Sequence, residues 1–208
     1  MKEIFINIYN KNEWSSKESV SGTGSEMGTT KEIREQLPNL FKKYGIKRLL
    51  DFGCGDFNWM KEIVGSLDYY HGVDVVEEVI ANNKKKYAKE NIKFSCNVKN
   101  DFVNSCESFD AVLLRDVLVH LSYMNIAITL GTLSSRDIKY ILTTSFLAET
   151  ENRDISTGSW RRLNLMKEPF DFPPPLETIV SYSEPYNVGG GVLYDKTLSL
   201  WKLKNIRE

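Results

Sequence analysis

The chain is predicted to be an α/β protein with a doubly wound, mostly parallel seven-stranded sheet and an antiparallel C-terminal hairpin. Three observations carry that prediction. Apolar runs of strand length alternate with helix-like, charged segments, the pattern of repeated βα units. The first such run, Leu49-Leu50-Asp51-Phe52, enters a glycine turn, Gly53-Cys54-Gly55-Asp56. The last two runs, 177–182 and 194–203, have only a turn and Gly189-Gly190-Gly191 between them, which suits a hairpin.

Taken in order, residues 1–28 are polar and punctuated, ending in Ser21-Gly22-Thr23-Gly24-Ser25, and read as an arm and loop ahead of the domain. Thr30 is placed to cap a helix over 31–37, which Pro38 should interrupt or restart before Lys43. Strand 47–52 is followed by a helix over 58–65, strand 69–75 by a helix over 77–88, and strands 92–97 and 109–115 come next. A helix should begin after Ser122 as its cap, leading to the strand Tyr140 to Ser145. Residues 29–208 are read as one domain. The stretch 146–175 is the exception: about thirty residues with weak periodicity, more often functional than accidental in a compact domain.

At 208 residues the chain is long enough to bury a full core. A net charge of −1 gives no electrostatic footprint for nucleic acid, so no nucleic-acid partner is expected. No run of about eighteen apolar residues exists, so no membrane span is expected. The three cysteines, Cys54, Cys96 and Cys106, are odd in number and lie on or near core strands; reduced thiols and a cytoplasmic location are the expectation. No His/Cys cluster has metal-ligand spacing, so no metal is expected.

The glycine turn carries the chemistry. Glycines let backbone N–H groups approach a ligand without a Cβ in the way. Asp51 sits at the end of its strand, at the crevice where open α/β sheets bind ligands. About twenty residues on, Tyr70-His71-Gly72-Val73-Asp74-Val75 ends in a second acid, placed to accept from a ribose diol. Asp51 and Asp56 would repel a pyrophosphate, and they suit a ligand bearing an ammonium or sulfonium. Asn58 and Trp59 stand where a dinucleotide fingerprint has its third glycine.

Asp51-x-Gly53-Cys54-Gly55, then Asp74, then Phe109-Asp110-Ala111-Val112-Leu113-Leu114-Arg115-Asp116-Val117-Leu118-Val119-His120-Leu121 resemble, in order and spacing, the motifs of class I S-adenosylmethionine (SAM)-dependent methyltransferases. The motifs span roughly the central third of the chain. The resemblance implies a Rossmann-like fold, SAM as methyl donor, S-adenosylhomocysteine as product, and a small-molecule acceptor. It places Asp51, Gly53, Cys54, Gly55 and Asp56 around the amino-acid end of SAM, with Cys54 as a small packing residue in the turn. Asp74 and the neighbouring Val75 fall on the ribose. Asn97 and Val98 fall where many relatives carry an acid that accepts from the adenine amino group, and an amide oxygen can accept the same bond. Arg115 is expected to offer its backbone to the cofactor and Asp116 to face acceptor or cofactor. Two alternatives stand beside this reading: a non-catalytic SAM-binding regulatory subunit, and a protein or nucleic-acid methyltransferase.

Methyl transfer to a hydroxyl calls for a base within reach of its proton. Of the two histidines, His71 lies inside a strand and reads as structural. His120 lies just past the fourth strand, at the carboxyl edge of the sheet, and is the candidate base; packing is the competing role. Trp14, in the polar arm, is a candidate lid. In the long loop, Arg153, Arg161 and Arg162 offer guanidinium groups that match carboxylate or phosphate, and Trp160 offers a stacking face. They point to a small anionic acceptor such as a sugar phosphate, nucleotide sugar or hydroxy acid.

Overall fold

A computed structural model describes residues 2–96, 107–182, 185–188 and 191–206. Asn97, Val98 and Cys106 lie outside the described residues, as do Gly189 and Gly190 of the expected hairpin turn. The helices are α1 (Lys2–Lys11), α2 (Lys31–Tyr44), α3 (Glu77–Tyr87) and α4 (Tyr123–Ser134). The strands are β1 (Arg48–Phe52), β2 (Tyr69–Asp74), β3 (Ile92–Cys96), β4 (Ala111–Leu114), β5 (Tyr140–Phe146), β6 (Glu177–Val180), β7 (Tyr186–Val188), β8 (Gly191–Leu193) and β9 (Lys196–Lys202).

Seven strands form one sheet in the order β3-β2-β1-β4-β5-β9-β6. The first five run parallel, β9 is antiparallel to β5, and β6 is antiparallel to β9. The order reverses between β1 and β4, which is where such sheets open a crevice at their carboxyl ends. The C-terminal antiparallel pair is as expected, with a small separate ribbon, β7–β8, set between its strands. Each face of the sheet carries an apolar layer. Leu49, Tyr70 and Leu142 pack with Leu37 and Phe41 of α2 on one side. Leu50, Val112 and Ile141 pack with Ile126 and Leu133 of α4 on the other. Leu163, Leu165 and Phe172 complete that second layer, so the long loop covers the sheet with its own side chains.

Several local expectations give way. Pro38 sits inside a continuous α2, because Leu37, Leu40 and Phe41 around it are buried, and that packing outweighs the lost backbone bond. Thr30 precedes α2 but does not cap it; its hydroxyl donates back to the Glu26 carbonyl at 2.9 Å. Ser122 does cap α4, accepting from the Asn125 N–H. The helix expected over 58–65 is instead two short 3-10 turns, Met60–Glu62 and Val64–Ser66. The chain must run from Asp56 at the top of the sheet back to Asp68 and Tyr69, whose N–H groups both bind the Lys47 carbonyl at its foot. A 3-10 winding rises about 2.0 Å per residue against about 1.5 Å for an α-helix, so it spans that distance with fewer residues. The first 28 residues, expected as an arm and loop, begin with α1 and continue as a segment packed on the sheet's carboxyl edge.

Candidate active site

The floor is the glycine turn. The N–H groups of Gly53 and Cys54 both donate to the Val73 carbonyl, at 2.8 and 3.0 Å, which clamps the end of β1 to β2. Gly53 and Gly55 take φ of +79° and +53°, a region costly for residues with a Cβ. The Gly55 N–H donates to Asp74 Oδ2 and the Val76 N–H to Oδ1, both at 3.0 Å. These two bonds leave lone pairs of the Asp74 carboxylate for further donors. Burial pushes the Asp74 pKa up, and the backbone donors at Val76, Gly55 and Val75 oppose it.

Three turn residues expected at the cofactor face elsewhere. Asp51 lies beneath the turn, 4% exposed, and accepts the Tyr70 hydroxyl at 2.7 Å. Burial pushes its pKa up to about 7, with the Tyr70 bond opposing and the neighbouring Asp74 charge adding to the rise. Cys54 points into the core against Gly72, where an added Cβ would come within 2.9 Å of its sulfur. Asp56 faces the N-terminal segment. It accepts the Ser19 hydroxyl at 2.9 Å, the Val20 N–H at 3.0 Å and the Ser21 hydroxyl at 3.2 Å.

That segment roofs the crevice. Phe5 and Tyr9 of α1, then Trp14, then 20–25, close over a cavity of about 570 Å³. The roof is tied down at its middle and at its C-terminal end. Asp56 holds its middle, the Arg115 guanidinium donates to the Gly24 carbonyl at 2.7 Å, and Asn58 donates to the Ser25 carbonyl at 3.1 Å. Gly22, at φ +92°, lies directly against Trp14. Trp14 was a candidate lid in the sequence, and its ring lines the cavity 5.3 Å from that of His120.

The far end of the cavity grows out of β4. Asp116 adopts φ +55°, which an Asp tolerates better than most residues. Its N–H donates to Thr144 Oγ1 at 2.8 Å, and that hydroxyl returns a bond to Asp116 Oδ1 at 3.0 Å. Lys196, at the start of β9, donates to Oδ2 at 3.0 Å, and Arg115 Nη1 stands 3.2 Å from the same oxygen. Burial alone would raise the Asp116 pKa; Lys196 and Arg115 overcome that and hold it well below the usual carboxylate range.

His120 closes the short 3-10 turn Leu118–His120 and lines the cavity. Its Nδ1 lies 2.9 Å from the Ser159 carbonyl. A carbonyl only accepts, so the neutral ring carries its proton on Nδ1 and keeps the Nε2 lone pair. Burial pulls the His120 pKa below its ordinary value, with the Ser159 bond opposing. His71 is held within the sheet between Glu107 and Ser95, at 2.8 Å on each ring nitrogen.

The cavity therefore brings together Gly53, Gly55, Asp74, Val75, Arg115, Asp116, His120 and Trp160 from the sequence-predicted set. It does not bring in the loop arginines. Arg153 is exposed away from the lining. Arg161 is 1% exposed, with its guanidinium on backbone carbonyls. Arg162 pairs with Glu149 at 2.9 Å and with Asp195. A loop packed into the second apolar layer uses Arg161 and Arg162 internally. No local pattern marks Lys196, which meets Asp116 across 80 positions of sequence.

Residues 49–135 match the methyltransferase domain family. The fold is shared with N-methyltransferase NodS from Bradyrhizobium japonicum WM9 in complex with S-adenosylhomocysteine, at TM-score 0.63 and 13% identity, covering 95% of this chain and 97% of that one. It is shared too with magnesium protoporphyrin IX methyltransferase from Synechocystis PCC 6803 with bound SAM, at TM-score 0.59 and 14% identity, covering 96% and 95%. The methyltransferase domain of bacterial CtHen1 aligns at TM-score 0.47 and 17% identity; the match spans 56% of this chain and 66% of that one. No curated protein matches the sequence. The matched segment is similar to a methyltransferase domain, and the fold around it is one shared with methyltransferases solved with SAM or S-adenosylhomocysteine. Among the described residues no helix is long and apolar enough to cross a membrane.

The turn's residues fit a SAM-type ligand. The Asp74 charge adds to the rise of the Asp51 pKa and the Asp56 charge to that of Asp74, which a cationic ligand would relieve. In the ligand-free chain the folded Asp51 carboxyl titrates near 7 against 3.8 for an ordinary Asp. The folded state therefore holds an extra proton between those values, and stability falls as pH rises from about 4 to 7. Asp51→Asn, which can still accept from Tyr70, should recover a few kcal/mol at pH 8 and little at pH 4. Urea unfolding at the two pH values measures this, and equal gains at both would remove the explanation.

Proposed function

We propose that the chain transfers the methyl group of SAM to a hydroxyl of a small anionic molecule, with His120 as the base. The observation that carries the reading is the His120–Ser159 bond, which leaves Nε2 as a proton acceptor on the cavity wall. SAM, when bound, supplies an electrophilic methyl group on a sulfonium. The residues suited to hold it are the Gly53–Gly55 turn, Asp74 for the ribose hydroxyls, and Val75, Val76 and Val79 for the apolar base. Asp74→Ala should weaken SAM binding by roughly 1–3 kcal/mol, the cost of leaving buried partners unpaired. Calorimetry with SAM checks it, and an unchanged affinity would dismiss Asp74 from the site.

The acceptor belongs at the other end, between the rings of Trp14 and Trp160 and within reach of His120. A roofed cavity of about 570 Å³ suits a small molecule. The loop arginines no longer support an anionic acceptor. The reading rests instead on Lys196 and Arg115, two cations that line the cavity and meet at Asp116 Oδ2. Lys196→Met keeps the apolar stem and removes the charge. It should raise KM for an anionic acceptor by about 10-fold or more, the usual worth of a charged hydrogen bond, and leave a neutral analogue unaffected. The experiment that tests the whole reading is release of S-adenosylhomocysteine across a panel of hydroxylated carboxylates, phosphates and neutral analogues. No release with any of them, from a chain that binds SAM, would return it to a non-catalytic role.

A further inference from the structure

We infer that Arg161 is a positioning residue for His120, a buried guanidinium whose contacts with backbone carbonyls fix the ring that faces the cavity. The inference rests on His120 being the base and adds what holds that base in place. The turn Leu118–His120 is a single 3-10 turn, so the carbonyls at its end have no partners within it. The loop 157–161 supplies them. Arg161 N–H donates to the Val119 carbonyl at 3.1 Å, and Gly158 N–H donates to the His120 carbonyl at 2.8 Å. Arg161 Nη1 donates to the Leu121 carbonyl at 2.7 Å and reaches that of Val119 at 3.4 Å. Three successive carbonyls around His120 are thus held by one loop, whose Ser159 carbonyl takes the ring's own N–H.

The guanidinium is costly where it is. Arg161 is 1% exposed, and its Nε and Nη2 make no hydrogen bond among the described residues. A buried charge of this kind destabilises the fold unless something repays it. What it gains is the end of a turn, where exposed carbonyls attract a cation, and the face of Tyr123, 5.4 Å from Cζ. An apolar side chain would fill the space without holding two carbonyls. The planar fork holds both from one nitrogen while the backbone N–H of the same residue holds the first again. The positive charge also opposes protonation of the ring, after the larger effects of burial and of Lys196, while the Ser159 carbonyl and Asp116 favour it.

Arg161→Met and Arg161→Lys separate the parts. Lys keeps the charge without the fork; Met loses both. With two histidines in the chain, nitrogen-15 NMR of labelled histidine resolves each ring, and His120→Ala assigns the signals. The wild-type His120 should be held as the Nδ1–H tautomer. Both variants should bind SAM within about threefold of wild type and lose about tenfold or more in kcat with little change in acceptor KM. In both, the His120 signals should move to a mixture of tautomers. In Arg161→Met the acid limb of the rate profile should also shift to higher pH, and in Arg161→Lys it should move less. A His120 tautomer and titration unchanged in folded, SAM-binding variants would overturn the inference. So would loss of folding in both, which would make Arg161 a scaffold residue. The NMR readout does not depend on turnover, so it stands apart from the test of His120 as base, which is the activity of His120→Ala.

Discussion

His120→Ala should lower turnover by about 10²–10⁴-fold while SAM affinity stays within a small factor of wild type. On the proposed assignment the ring is on the acceptor side of the cavity, past β4, and the residues proposed for the nucleotide, Gly55, Asp74 and Val79, do not depend on it. His120→Gln is the companion variant. It keeps bulk against Trp14, whose ring lies 5.3 Å away, and cannot take a proton near neutral pH. Both should therefore fail alike if proton transfer is what is lost, and differ if packing is. The wild-type rate carries the same signature. A base works when neutral, and burial places the His120 pKa below the ordinary value of 6.5. The rate should rise with pH through that lowered pKa and be flat above neutrality. A folded His120→Gln enzyme that turns over near the wild-type rate, with an unchanged profile, would leave His120 a packing residue and require another base.

How far the chain could be read in advance depended on the range of the interactions involved. The alternation of strands and helices, the glycine turn and the acid at Asp74 follow from local patterns, an apolar run ending where the backbone must turn, and are legible. His120 was legible as a residue at the carboxyl edge of β4. Its tautomer was not, because it depends on Ser159, thirty-nine positions away. The arginines show the same limit. Arg161 and Arg162 look like ligand groups as a bare sequence, since nothing adjacent pairs with them. Folding supplies Glu149 and Asp195 for one and the carbonyls of Val119 and Leu121 for the other. Asp51 was read as facing the crevice because it ends a strand. Alternation along β1 instead turns it to Tyr70, on the face that carries Leu49. Nothing local in residues 12–25 marks them as a roof. Ser19, Ser21 and Gly24 look like loop composition, and their partners Asp56, Arg115 and Asp116 lie 35 or more residues away.

Gly55→Ala tests that roof. The sequence assigns the glycine to close approach of a ligand, and the structure gives it a second reason. A Cβ on Gly55 would lie 2.0 Å from Ser21 Oγ and 2.8 Å from Ser21 Cβ, so 19–21 must move. The same Ser21 hydroxyl accepts the Asp56 N–H at 3.0 Å and donates back to its carboxylate. Displacing it strips Asp56 of bonds that also hold Ser19 and Val20. Alanine at φ +53° adds about 1–2 kcal/mol of backbone cost, and each lost hydrogen bond adds about 1 kcal/mol. Because 20–25 line the cavity, much of this should appear as lost SAM affinity, about 2–4 kcal/mol or roughly 30- to 700-fold. Residues 12–25 should also become open to protease in the ligand-free chain, while β1 and β2 keep their hydrogen-exchange protection. Ser21→Gly added to Gly55→Ala removes the obstructing hydroxyl and should return part of the affinity, leaving the backbone cost and the bonds that Ser21 itself made. Gly55→Ala with wild-type SAM affinity and an equally protected N-terminal segment would show that the roof does not bear on the donor site.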